Sequence, residues 1–126
     1  FQILSGSSTK NRVNQLKLEE KGLQSRLDDE ITSVTNKCLL LSEEIRQIEY
    51  QARLFKENIK LYEENLSLNQ DRFNNGQINA YDLLTEEIDF QKELARFNEK
   101  RAELVNKQIE LLNNSGALTL FIDSLR

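Results

Sequence analysis

From Ile31 to Leu66 the apolar residues fall at alternating steps of three and four: Ile31, Val34, Cys38, Leu41, Ile45, Ile48, Ala52, Phe55, Ile59, Tyr62, Leu66. Side chains at these steps share one helix face. A seam held for five heptads demands a long helix with a continuous apolar partner along one side. A rod of this kind offers surfaces to partners and few pockets, which argues against an enzyme.

Composition points the same way. Among 126 residues there is no proline, and only four glycines occur. Proline breaks helix interiors and glycine weakens them, so their scarcity favours long uninterrupted helices. Charged residues make up 30% and the net charge is −4, with both signs interleaved. That pattern reads as coiled coil, and without a basic patch it gives no footprint for nucleic acid. Histidine is absent and Cys38 is the one cysteine, so neither a zinc site nor a Cys–His nucleophile pair can be assembled. On the seam, Cys38 reads as a packed thiol rather than a reactive one. No catalytic constellation, cofactor site or metal site is expected. No stretch of about twenty apolar residues is present to form a transmembrane helix. The chain starts at Phe1 rather than Met and has no signal peptide, which reads as a processed or excised piece of something larger.

Along the chain, Phe1–Leu4 reads as a strand end. Ser5-Gly6-Ser7-Ser8 reads as a break carrying helix-start chemistry. Residues 9–73 then form the first helix, about 100 Å at 1.5 Å per residue. Asn74-Asn75-Gly76-Gln77 stops it, because Asn and Gly tolerate the left-handed conformation past a helix end. The tip turn spans residues 74–79. Asn79 can cap a second helix, and Asp82 can reach back in a capping-box-like way. That return helix spans residues 80–113, about 50 Å. Asn113-Asn114-Ser115-Gly116 is expected to end it, leaving residues 114–126 as an apolar tail.

The return helix carries two apolar seams. One runs Tyr81, Leu84, Ile88, Ala95, Ala102, Val105, Ile109, Leu112; the other runs Leu83, Phe90, Leu94, Phe97, Leu104, Leu111. Two seams on one helix imply two neighbours. The first helix has a second stripe too, at Leu40, Leu54, Leu61 and Leu68. A fold-back at Gly76 sets Asn113 roughly opposite Leu39, with Leu66 and Phe73 facing Tyr81 and Leu84. Val13, Leu16, Leu23, Leu27, Ile31 and Val34 then need cover from outside this chain. The expected fold is all-α: a long, antiparallel, coiled-coil-like helical hairpin of unequal arms, one stave of a larger α-helical barrel. An exposed apolar stripe of that length predicts self-association.

The sequence resembles the TolC-type outer-membrane efflux channels. The resemblance rests on Ile3-Leu4-Ser5-Gly6 at the start and on Ile59-Lys60-Leu61-Tyr62-Glu63-Glu64-Asn65-Leu66 near the foot of the long helix. Its most specific part is Asp71-Arg72-Phe73-Asn74-Asn75-Gly76 followed by Ala80-Tyr81-Asp82-Leu83-Leu84, and it closes on Leu111-Leu112-Asn113-Asn114-Ser115-Gly116-Ala117-Leu118. The resemblance implies a periplasmic tunnel segment of a trimeric channel of a Gram-negative outer membrane. The channel's membrane strands are absent from this chain. Its partners would be a periplasmic adaptor and, indirectly, an inner-membrane transporter. Asn75, Gly76 and Gln77 would form the docking tip. Asp82 would line the constriction, and Arg72, Phe73 and Tyr81 would hold the tip closed. Thr85 stands where the family often has a second acid, which weakens any acidic ring.

Each assignment has a plainer counterpart. Asp82 suits a helix start whatever it lines, Gly76 suits any tight turn, and Arg72 suits a solvated helix end. Two further functional readings remain open: the helical hairpin of a periplasmic adaptor, and a structural coiled coil with no transport role.

Overall fold

The structure is a computed structural model and describes residues 2–125. It consists of two helices, α1 (Gln2–Asn74) and α2 (Ala80–Leu125), with no strand among the described residues. The expectation of an all-α hairpin with unequal arms holds. The residues group into two compact units, one of Leu40–Asn113 and one of Phe1–Leu39 with Asn114–Arg126.

The Leu40–Asn113 unit is the hairpin proper. Leu41, Ile45, Ile48, Ala52 and Ile59 on α1 are buried, and Phe55, Tyr62 and Leu66 are half-buried. These are the heptad positions, and α2 supplies their apolar partner. On α2 the inward positions also step by three and four, but they alternate in chemistry. Leu83, Phe90, Phe97, Leu104 and Leu111 alternate with Glu86, Glu93, Lys100 and Lys107, and all nine are buried or half-buried.

This inward face differs from the expected pairing at the tip. Leu66 and Leu84 do line one groove, but Phe73 is exposed and Tyr81 is 76% exposed. Leu83, at 8% exposure, takes the inward place, and Leu84 is left 54% exposed. One residue turns a side chain through about 100° around the helix, so the two leucines serve different faces. The reason lies in bulk. The inward seam offers two phenylalanines at its centre, whereas the outer seam offers Gln91, Ala95, Asn98 and Ala102 there. Aromatic side chains carry the larger burial, and the stems of Lys100 and Lys107 can lie over apolar surface with their charges at the edge.

In the other unit, Leu27, Ile31 and Val34 are half-buried. Ile31 and Val34 share a small cavity of about 160 Å³ with Glu30, Ala117 and Leu118. Two expectations are thereby corrected. The return helix does not end at Asn113 but continues to Leu125, and it supplies part of the cover over the Val13–Val34 stretch. Val13, Leu16 and Leu23 remain exposed. Gly116 keeps a right-handed helical backbone, since Gly76 is the one glycine with positive φ. Leu118 lies beside Ile31 and Val34, so continuing the helix gives that stretch apolar cover. A glycine costs a helix only about 1 kcal/mol, and each further residue adds a backbone hydrogen bond.

The same competition corrects the amino-terminal end. Phe1 lies outside the described residues. Gln2–Ser8 are helical, so neither the strand end nor the break at Ser5-Gly6-Ser7-Ser8 forms. The isolated glycine and serines are weak stops inside a helix of 73 residues.

Candidate docking tip

Between the helices, Asn75–Asn79 reverse the chain. Gln77 N–H donates to the Arg72 carbonyl at 2.8 Å and Gly76 N–H to the Phe73 carbonyl at 3.0 Å. With Gly76 at φ 72°, these two bonds form a Schellman cap that satisfies the last carbonyls of α1. Asn75 N–H adds a bond to the Asp71 carbonyl at 3.0 Å. On the other side, the Asp82 N–H donates to Asn79 Oδ1 at 2.8 Å. Asn79 is therefore the cap of α2. This is half a capping box, because no bond returns from the Asp82 carboxylate to the Asn79 amide.

A methyl group on Gly76 would meet nothing within 4 Å. The demand for glycine is therefore one of backbone conformation alone. Left-handed φ costs a residue with a Cβ about 1–2 kcal/mol, and asparagine less. Gly76→Ala is expected to lower stability by about 1 kcal/mol and Gly76→Asn by about half of that. Urea unfolding of the two variants checks the order; equal losses would mean that φ is not the cause.

The tip residues expected from the sequence share one end of the hairpin. Asn75, Gly76 and Gln77 are exposed at the turn itself. Asp82 is exposed in the first turn of α2, where its charge suits the positive helix end. Arg72 occupies the last turn of α1, where a cation suits the negative end. Arg72 makes no ion pair with Asp71 or Asp82. Within one chain the arginine does not clamp the tip. Phe73 and Tyr81 are both exposed, Tyr81 the more so.

Sequence reasoning did not single out what lies beside the tip. Leu66, Leu84, Ile88, Phe90 and Ala95 line an open groove of about 690 Å³, edged by Glu87, Gln91 and Lys92. From it the outer seam of α2 runs exposed through Ile88, Val105, Ile109 and Leu112. The signal that marks this seam as the outer one is the lack of bulk at its centre, where Ala95 and Ala102 stand against Phe90 and Phe97 of the inward seam.

Charges line the inward seam instead. Glu93, only 9% exposed, pairs with Arg96 at 2.7 Å. Lys100 pairs with Glu103 at 3.0 Å within α2. Across the hairpin, Lys107 Nζ lies 3.0 Å from Glu44 Oε2. Hydrogen bonding to Glu44 and the Glu44 charge push the Lys107 ammonium above the ordinary lysine range.

Among the described residues no cluster of metal-ligating side chains occurs, and no helix is long and apolar enough to cross a membrane. No protein-family model, curated protein or solved structure matches the chain.

Proposed function

We propose that this hairpin is a structural, non-catalytic stave of an α-helical barrel: the periplasmic tunnel segment of a trimeric, TolC-type outer-membrane efflux channel. The observation that carries the reading is the outer seam of α2. A two-helix hairpin that turns Leu84, Ile88, Val105, Ile109 and Leu112 toward solvent is built to pack on further helices. In this reading neighbouring hairpins cover that seam. Membrane anchoring belongs to β-strands outside these residues, and the tip at Asn75, Gly76 and Gln77 meets the periplasmic adaptor, with the inner-membrane transporter beyond it. The capped turn supports the assignment, since a tip held by its own backbone bonds presents the same exposed surface before and after docking.

Asp82 from three protomers would line the narrowest ring in this arrangement. Like charges a few ångströms apart repel by about 1 kcal/mol in water and by several when partly dry. The closed tip is then held by contacts between protomers, with Arg72, Phe73 and Tyr81 as the exposed groups placed to make them. The adaptor opens the tip to the extent that it binds the open state better.

Single-channel conductance of the intact channel tests this. Asp82→Asn should lower the preference for cations about fivefold, the equivalent of roughly 1 kcal/mol, and Arg72→Ala should raise basal conductance. If both variants conduct and select like the parent, these residues do not form the gate.

A further inference from the structure

We infer that in the free chain the outer seam of α2 is covered by the same seam of a second copy, the two α2 helices running antiparallel about a twofold axis. The pairing is separate from the tunnel reading. A ring sets the seam against a different face of each neighbour, whereas this pair sets it against itself.

The seam is self-complementary in one register. With the dyad between Arg96 and Phe97, Tyr81 meets Leu112 of the second copy, Leu84 meets Ile109 and Ile88 meets Val105. All six are large, exposed side chains. Toward the centre Gln91 meets Ala102 and Asn98 meets Ala95, so each small residue faces a longer one. In an antiparallel helix pair the flanking positions also meet their own kind across the axis. Here Lys92 falls beside Glu99 of the second copy, and Glu99 beside its Lys92. Both side chains are exposed, and neither has an ion-pair partner among the described residues.

Other registers are penalised. A slip of one heptad one way sets Lys92 against Lys92 and Ile88 against Asn98. A slip the other way sets Glu99 against Glu99, Arg101 against Arg101 and Gln91 against Ile109. Like charges in register select against the wrong partner. A parallel pair would stack Ala95 on Ala95 and Ala102 on Ala102, and would leave Glu99 without an opposite charge. The matching run, Tyr81 to Leu112, is about 46 Å of helix.

Sedimentation equilibrium of the 126-residue chain and its charge variants tests the pairing. The parent should be a dimer. Lys92→Glu and Glu99→Lys should each weaken it about tenfold or more, since each sets two like-charged contacts across the dyad. The double variant should return to within about threefold of the parent. Both side chains are exposed, so circular dichroism should be unchanged.

A second measurement does not depend on those variants. A spin label at Gln77→Cys in a Cys38→Ser background should report a tip-to-tip distance of about 60 Å, the helical rise from the tip to the dyad taken twice. A monomer, a double variant that does not recover, or tips within about 30 Å of each other would overturn the antiparallel pair. A trimer would also overturn it while leaving the tunnel reading in place. A dimer that passes leaves the tunnel reading to the conductance experiment.

Discussion

Leu41→Ala should cost the chain about 2–3 kcal/mol. Leu41 is 3% exposed, the most enclosed apolar side chain among the core residues, and lies in the unbroken part of the α1 seam. Alanine there removes three carbons and leaves a void between two helices. The value belongs at the low end for leucine because a two-helix interface has few surrounding layers and can close partly around the gap. The measurement is the urea midpoint at unchanged slope. A loss below about 1 kcal/mol would place Leu41 outside the core.

Leu83→Ala should cost about 2 kcal/mol, while Leu84→Ala should stay within about 0.5 kcal/mol. The two residues are chemically identical neighbours, at 8% and 54% exposure, so propensity and unfolded-state effects nearly cancel in the comparison. Unfolding at low protein concentration keeps any association through Leu84 out of the result. A reversed order would mean that α2 is turned by about one residue step, presenting Tyr81 and Leu84 to α1.

That contrast also marks what the sequence could and could not tell. The α1 seam was legible because every one of its positions from Ile31 to Leu66 is apolar, whereas the second stripe offers only single leucines at Leu40, Leu54, Leu61 and Leu68. The tip was legible because Asn74-Asn75-Gly76 and Asn79 combine a stop and a start within a few residues, and both caps form. The inward face of α2 was ambiguous for a physical reason. Its two seams have similar hydrophobicity, and the inward one is interrupted by Glu86, Glu93, Lys100 and Lys107. Volume at Phe90 and Phe97 decides between them, and a count of apolar positions does not register volume.

The two helix ends that were misplaced share a different cause. Asn113-Asn114-Ser115-Gly116 resembles Asn74-Asn75-Gly76 in composition, yet only the latter stops a helix. Beyond Gly116 the heptad resumes at Leu118, and Ile31 and Val34 offer apolar surface to it. Beyond Gly76 the chain must reverse for any seam to meet α1. A glycine permits the left-handed turn; packing on the far side determines whether the turn is used. At Ser5-Gly6-Ser7-Ser8 the same local weakness yields to helix propagation.

The short connector has one more consequence. A heptad seam is nearly the same after a shift of seven residues, so two such helices on separate chains can slide past one another and settle in a wrong alignment. Sliding α2 along α1 by one heptad would require about 10 Å of slack. The five residues Asn75–Asn79 have little to give, being held by backbone bonds to Asp71, Arg72 and Phe73 on one side and by the Asn79 cap on the other. Gaining that slack means unwinding a helix end and exposing its carbonyls. The turn therefore acts as a ratchet stop for the whole Leu40–Asn113 hairpin: five residues at one end fix which layer meets which along the entire seam.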